Sequence, residues 1–179
     1  EIGSLITNQN KNENIPLDNE SLVNFRFHLS EAIQRQTMSD VGYTSYLSGG
    51  IDSSVIAYEL SRLSSNLQTY SIQFEDLEYD ESDKQELIAN HLKTNQVSIK
   101  LNDFDISNNF TEAVKQIQQP FFRTAPIPSM LLARQIKKDE NKVALTGEGA
   151  DEILLGYDIF RENTCLEFIK KKPTSRWRY

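Results

Sequence analysis

The chain has almost no cysteine, and it also lacks any long apolar run. Cys165 is the single cysteine among 179 residues, so the sequence contains neither a disulfide framework nor a CxxC metal motif, which is typical of a reducing compartment. No apolar run approaches the roughly 18 residues that a membrane-spanning helix needs, and the N-terminus lacks a signal-peptide pattern. We therefore expect a cytoplasmic protein without a membrane partner.

Positive charge is also scarce, and one common phosphate-binding signature is missing. Lysine and arginine number 19 against 26 acidic residues, which gives a formal net charge of −7 at pH 7. This sign repels nucleic acid outside any local basic pocket, so we expect no nucleic-acid partner. No Gly-Lys-Ser or Gly-Lys-Thr triplet occurs, which disfavours ordinary P-loop NTPase chemistry because no lysine would reach the β- and γ-phosphates from such a loop.

The order of the predicted elements indicates one α/β domain after a linker. Residues 1–17 read as an interdomain linker because residues 7–14 are polar and rich in asparagine, and Asp18 or Asn19 can cap the helix that follows. Strands and helices then alternate, which favours a parallel sheet with helices on both faces and ligands at the carboxyl ends of the strands. Strands are predicted at Gly42–Leu47, Leu67–Phe74, Gln96–Leu101 and Lys142–Leu145, and helices at Ser53–Ser64, Ser82–Lys93, Asn109–Gln118, Pro128–Lys138 and from about Ala150.

A loop rich in glycine and serine follows the first predicted strand. It reads Ser48-Gly49-Gly50-Ile51-Asp52-Ser53-Ser54. The glycines permit a sharp turn close to a ligand, and the free N–H groups of the following helix start can bind phosphate oxygens together with the serine hydroxyls. Asp52 is placed to hold a magnesium ion that bridges those oxygens. The alternative is a plain tight connection between strand and helix, although that needs only one glycine and one capping residue.

A second glycine loop follows the last predicted strand. It reads Thr146-Gly147-Glu148-Gly149-Ala150-Asp151-Glu152 and lies at the same type of sheet edge as the first loop, so we expect one shared site. An acidic residue there can hold magnesium, or it can take a proton from an attacking nitrogen. The alternative is that Asp151 and Glu152 only interact favourably with the helix dipole.

An arginine lies in a proline-rich segment between the two glycine loops. Arg123 is followed by Pro126 and Pro128, and prolines break a helix and stiffen a loop. A guanidinium in a rigid loop can bind phosphate oxygens through two parallel hydrogen bonds. The local sequence fits an exposed surface arginine at least as well, so both interpretations stay open here.

Four blocks of the sequence resemble one family, in order and with natural spacing. These blocks are MSDVGYTSYLSGGIDSSVIA, TYSIQFED, RTAPIPSMLLARQIK and VALTGEGADEILLGY. They resemble the synthetase domain of glutamine-dependent asparagine synthetases, to which β-lactam synthetases are related. The resemblance implies the fold of the PP-loop ATP pyrophosphatases, which is similar to that of the adenine nucleotide alpha hydrolases.

The resemblance also implies roles for individual residues. Asp52 and Asp151 would be magnesium ligands. Arg123 and Glu148 would be the catalytic residues, the first contacting the phosphates and the second assisting ammonia attack or orienting the activated substrate. A further set of residues would bind ATP. The pyrophosphate part would be bound by Ser48, Gly49, Gly50, Asp52, Ser53 and Ser54, and the adenosine part would be contacted by Tyr46, Leu47, Ile72, Thr146 and Gly147.

The implied activity is ATP-dependent amide formation. Aspartate would become asparagine through β-aspartyl-AMP with release of AMP and pyrophosphate, using ATP, Mg²⁺ and ammonia from a glutaminase domain. Residues 18–179 would then be a partial synthetase domain, truncated at its C-terminus and without the N-terminal glutaminase domain. Two alternatives stay open: a related amidating or β-lactam-forming synthetase that acts on another carboxylic acid, and an ATP-binding module without catalysis. A homodimer is also left open.

Overall fold

Four parallel strands form one sheet in the computed structural model, which describes residues 18–171. The strands are β1 (Tyr43–Tyr46), β2 (Gln68–Phe74), β3 (Asn95–Leu101) and β4 (Val143–Leu145), in the order β3-β2-β1-β4. Every neighbouring pair is parallel. This confirms the predicted parallel sheet, whereas the predicted linker over residues 1–17 lies outside the described residues.

Seven helices occur within the described residues. Between strands, β1 and β2 are joined by a single helix, as are β2 and β3, while two helices connect β3 to β4. Their bounds are α1 (Asn19–Gln36), α2 (Ile51–Leu63), α3 (Ser82–Leu92), α4 (Asp103–Ile117), α5 (Pro126–Lys138), α6 (Ala150–Leu154) and α7 (Asp158–Lys171).

Three helices begin earlier than the sequence pattern predicts, and one of them, α2, begins at Ile51 rather than Ser53. The helix predicted near Asn109 begins at Asp103, because Asn102 and Asp105 form a capping box in which each side chain accepts the backbone N–H of the other residue at 3.0 Å. The helix predicted from Pro128 begins at Pro126. Proline is tolerated in the first turn of a helix, where its missing N–H would have no partner, so these prolines begin a helix rather than break one.

The core lies on both faces of the sheet. On one face, α1 and α2 pack against β1 and β4 through residues such as Ile33, Leu60 and Leu145. On the other face, α5 packs against the sheet through Leu132 and Ile136, which contact the fully buried Tyr70 of β2. Helices therefore cover both faces, as predicted. Within residues 18–171, no helix is long and apolar enough to cross a membrane.

Candidate active site

The carboxyl ends of β1 and β4 lie side by side where the strand order reverses. The chain places β1, β2 and β3 successively in one direction and then adds β4 on the other side of β1. In open α/β sheets, ligands bind in the crevice at such a switch point. The connections that leave β1 and β4 at this point are the first glycine loop (residues 48–54) and the second glycine loop (residues 146–152).

The serines of the first glycine loop hold its shape. The Ser53 hydroxyl accepts the Ser48 backbone N–H at 3.1 Å and lies 2.8 Å from the Ser48 hydroxyl. The Ser54 hydroxyl donates to the Gly50 carbonyl at 2.5 Å. Gly49 has φ of +87°, in the left-handed region that glycine adopts without strain. The loop is therefore organised by its own hydrogen bonds, beside the N–H groups of the first turn of α2, which have no partner within the helix.

Gly147 of the second glycine loop contacts the start of α2 directly. A β-carbon added at Gly147 would lie 2.8 Å from the Ser53 backbone nitrogen and 2.9 Å from the Asp52 carbonyl carbon. These are backbone atoms, which cannot move aside as the end of a side chain can. Only glycine fits at this position, and the structure brings the two loops into contact at one site.

The second glycine loop continues into α6, whose first turn carries acidic side chains. Asp151 is half-buried, and a side chain added at Gly156 would overlap its carboxylate. The Tyr157 hydroxyl donates to Glu152 at 2.9 Å. This hydrogen bond raises the pKa of Tyr157, and the charges of Glu152, Asp151 and Glu148 raise it further. These three carboxylates therefore concentrate negative charge beside the loop contact.

The donor set of this site fits a magnesium ion that is shared with a phosphate. Among residues 18–171, no group of three or more His, Cys, Asp or Glu side chains is arranged to hold a metal ion. Mg²⁺ is usually bound by only one or two carboxylates, with substrate phosphates and waters completing the octahedron. Asp52 and Asp151 lie in the first turns of the two helices that follow the glycine loops. Their assignment as magnesium ligands stays a prediction.

Three of the predicted adenosine-binding residues lie in β1 and β2 or directly after β1, and one of these belongs to the core, whereas Thr146 and Gly147 follow β4. Leu47 is 1% exposed and packs against Ala57 and Ala89, so its backbone rather than its side chain can contact a nucleotide. Tyr46 and Ile72 pack on the α5 face, where burial raises the pKa of Tyr46. Their contact with adenosine stays a prediction.

Arg123 is exposed on the segment between α4 and α5. It makes no hydrogen bond or ion pair with any part of the chain that the structure describes. The structure therefore does not bring Arg123 together with the glycine loops through a direct contact. Its contact with phosphate stays a prediction.

A cavity of about 730 Å³ lies on the α5 face of the sheet. Tyr46 and Ala144 line it from the strands, and Ile136 and Asn141 line it from α5 and the segment that follows. No residue of either glycine loop is part of this lining. The two glycine loops therefore lie outside this cavity.

Sequence reasoning missed one residue that contacts the first glycine loop. Gln85 of α3 is 4% exposed, and its side-chain amide nitrogen lies 3.0 Å from the Ile72 carbonyl oxygen and 3.4 Å from the Ser48 carbonyl oxygen. A β-carbon added at Gly49 would lie 3.5 Å from the Gln85 Cγ. A glutamine between Lys84 and Glu86 in a helical pattern indicates an exposed position, so only the tertiary structure reveals this contact.

Comparisons with known proteins show which family the sequence matches. A model of the family "Asparagine synthase" matches residues 24–178. The chain is 33% identical over 144 residues to asparagine synthetase [glutamine-hydrolyzing] 1 of Bacillus subtilis, with 80% of this chain and 23% of that protein covered. It is 31% identical over 165 residues to the amidase chyE of Penicillium rubens, with 84% of this chain and 25% of that protein covered. The chain thus spans about a quarter of the length of these relatives.

A solved structure shares the fold. The structure of the NH3-dependent NAD synthetase from Campylobacter jejuni superposes with a TM-score of 0.51 and covers 75% of this chain and 59% of that one. Its sequence identity of 19% supports the fold alone. The match confirms the predicted α/β fold of the PP-loop type.

Proposed function

The chain belongs to the asparagine synthase family, and on this basis we propose that it carries the ATP site of an amide-forming ligase that converts aspartate to asparagine. The observation that carries the proposal is the contact between Gly147 and the backbone of Ser53. It joins two glycine loops into one crevice at the switch point of a parallel sheet, where N–H groups of a helix start can bind a polyphosphate.

In the first proposed step, the β-carboxylate of aspartate attacks the α-phosphorus of ATP. A bond forms between the carboxylate oxygen and phosphorus, the bond to the β-phosphate oxygen breaks, and β-aspartyl-AMP and pyrophosphate result. Carboxylate and triphosphate repel each other, so the N–H groups of the first glycine loop and the Arg123 guanidinium must offset negative charge before attack. The same groups stabilise the departing pyrophosphate.

In the second proposed step, ammonia attacks the acyl carbon and AMP leaves with its bonding electrons. The attacking nitrogen must lose a proton as the amide forms, and Glu148 is the proposed acceptor. Support for this role comes from its exposed position in the second glycine loop, between two glycines and next to the contact with α2.

Magnesium fits this site as the partner of the triphosphate. Asp52 and Asp151 would hold it, each from the first turn of a helix that follows a glycine loop. When bound, the ion supplies positive charge that neutralises phosphate oxygens. The attraction of the carboxylates to the cation would then offset their repulsion of the nucleotide.

We also propose an ammonia source, a cellular location and an oligomeric state for the enzyme. Ammonia would come from a glutaminase domain joined through residues 1–17, because the matched relatives that are named asparagine synthetases are glutamine-hydrolysing and much longer than this chain. The single cysteine supports a cytoplasmic location. A homodimer is part of the same proposal and is tested by the mass of the full-length protein in solution.

One assay tests the proposed reaction. The full-length protein is incubated with ATP, Mg²⁺, aspartate and ammonia, and pyrophosphate and asparagine are measured. We expect pyrophosphate release that depends on aspartate, with asparagine formed in equal amount. Release of ADP and phosphate instead, or no release with any acid, contradicts the proposal, and ATP binding without release identifies a non-catalytic module.

A second candidate differs only in the acid. Relatives at 31% and 29% identity are the amidases chyE and chry2 from two fungi, which favours an amidating enzyme that acts on a carboxylic acid other than aspartate. The adenylation step and the ATP site would be the same. Pyrophosphate release with another acid, and none with aspartate, would establish this second function.

A further inference from the structure

The Gln85 side chain makes a hydrogen bond to β2 at the position where β1 would make the next one if the strand continued into the first glycine loop. β1 ends at Tyr46, and the chain then makes one more backbone hydrogen bond to β2, in which the Leu47 N–H donates to the Tyr70 carbonyl at 2.8 Å. Every second carbonyl of a strand faces the same neighbouring strand. The Tyr70 carbonyl faces β1, so the next carbonyl of β2 on the β1 side belongs to Ile72. The Gln85 amide nitrogen donates to that carbonyl at 3.0 Å.

The same amide nitrogen also holds the loop that replaces the strand. It lies 3.4 Å from the Ser48 carbonyl oxygen, and an amide nitrogen carries two hydrogens, so it can serve both carbonyls at once. The Ile72 carbonyl is fixed because β2 pairs with β3 through Ile72 and Ile99. Gln85 therefore ties the Ser48–Gly49 peptide to a paired residue of β2.

The direction of the Ser48 carbonyl sets the direction of the next N–H group. In a trans peptide, the C=O and N–H bonds point in opposite directions, and no cis peptide occurs in residues 18–171. Because the Ser48 carbonyl points towards Gln85, the Gly49 N–H points away from α3. The loop is packed against α3 on that side, where a β-carbon on Gly49 would lie 3.3 Å from the Lys84 Cβ. The Gly49 N–H is thus presented on the open side of the loop.

Burial of the glutamine has an energetic cost that packing alone does not explain. Its other amide atom, Oε1, is buried and has no hydrogen-bond partner among residues 18–171. A buried polar atom without a partner is unfavourable, and methionine or leucine would fill a similar space without this cost. What an apolar residue could not supply is the pair of donated hydrogen bonds.

We infer that Gln85 is a positioning residue of the nucleotide site: its amide fixes the Ser48–Gly49 peptide so that the Gly49 N–H faces the phosphates of ATP. The inference rests on the proposed function, because it assumes that the first glycine loop binds the polyphosphate. The competing explanation is that Gln85 only anchors α3 to the sheet. An anchor would affect stability, but it would not discriminate between ligands with and without phosphates.

The test compares two ligands in three proteins. Dissociation constants of ATP with Mg²⁺ and of adenosine are measured by calorimetry for the full-length protein and its Gln85→Met and Gln135→Met variants. Gln135 is the matched control, since it is a half-buried helical glutamine whose amide donates to Asp139 at 2.9 Å beside the beginning of β2. Thermal unfolding confirms that each variant is folded, and Gln85→Leu replaces Gln85→Met if the latter is not.

We expect Gln85→Met to weaken ATP binding roughly tenfold and adenosine binding less than about twofold, while Gln135→Met binds both as the wild type does. Unchanged ATP binding, or equal weakening of both ligands, overturns the inference and leaves the proposed function intact. If the wild type binds ATP no more tightly than adenosine, the first glycine loop does not bind the phosphates, and both the proposed phosphate site and the inference about Gln85 are wrong.

Discussion

Gly147 packs so closely against Ser53 that a β-carbon on residue 147 would lie 2.8 Å from the Ser53 backbone nitrogen. The residues are 94 positions apart in the chain, and they meet because β4 is placed beside β1 in the sheet. The contact defines the candidate site, since it joins the two connections that carry the glycines, serines and carboxylates.

Gly147→Ala should force the two glycine loops apart. The added methyl group meets backbone atoms of Asp52 and Ser53, and overpacking of this kind costs about 1–3 kcal/mol of stability. We expect ATP affinity to fall at least about tenfold. Gly42→Ala is the matched control, because nothing lies within 4 Å of a β-carbon at that position. Equal ATP affinity in the two variants, measured by calorimetry, would show that the loop contact is irrelevant to binding.

Asp52→Asn should remove activity while the fold persists. The substitution keeps the shape of the side chain and removes the charge proposed to hold magnesium, so turnover should drop by at least about a hundredfold, as for other lost electrostatic groups. The alternative role of Asp52 is a favourable interaction with the dipole of α2. Asp103→Asn removes an exposed acid from the first turn of α4 and controls for that role. Similar turnover in both variants, measured as pyrophosphate release, would contradict metal binding by Asp52.

Gly156→Ala should act through Asp151. A methyl group at residue 156 overlaps the Asp151 carboxylate, which must then rotate away from its present position. We expect a higher Mg²⁺ concentration to be needed for half-maximal activity. If Gly156 acts only by placing this carboxylate, Gly156→Ala should add little to the defect of Asp151→Asn in a double-mutant cycle. Fully additive defects would mean that the glycine and the carboxylate act separately.

Tyr70 should make stability depend on alkaline pH. Burial and the hydrogen bond to Asp139 raise the pKa of Tyr70 from 10.0 to about 12. The folded protein holds this proton more tightly than the unfolded chain, so the contribution of the phenol is complete below pH 10.0 and is lost as the pH rises towards about 12. Tyr70→Phe should cost about 1–2 kcal/mol at neutral pH. The difference in free energy of unfolding between wild type and variant, measured in urea, should shrink across that window; a constant difference contradicts this role.

Much of the fold could be predicted because its signals are local. Alternating strand and helix patterns, with glycine loops after the first and last strands, were sufficient to predict a parallel sheet with helices on both faces. The start of α4 carried a local signal as well, since Asn102 and Asp105 have the spacing of a capping box. The helix-breaking tendency of Pro126 leads to a predicted start at Pro128, although proline is also common in the first helical turn, where α5 places Pro126.

The candidate site was less predictable because its contacts are tertiary. The strand order that brings Gly147 to Ser53 depends on which side of β1 receives β4, and nothing in the local sequence decides that. Gln85 is buried because the loop at Gly49 packs against α3. The local sequence, a helical glutamine between charged residues, does not predict this burial. The segment around Arg123 leaves two interpretations open, and Arg123 makes no hydrogen bond or ion pair with either loop within residues 18–171, so its role stays a prediction.

The central claim is that the two glycine loops together bind the polyphosphate of ATP. A crystal structure of the full-length protein with Mg²⁺ and a non-hydrolysable ATP analogue tests this claim most directly. We predict phosphate oxygens about 2.7–3.2 Å from backbone N–H groups of residues 49–53, with the metal ion between Asp52 and Asp151. A triphosphate bound outside the crevice between the loops, with these N–H groups facing solvent, would contradict the account.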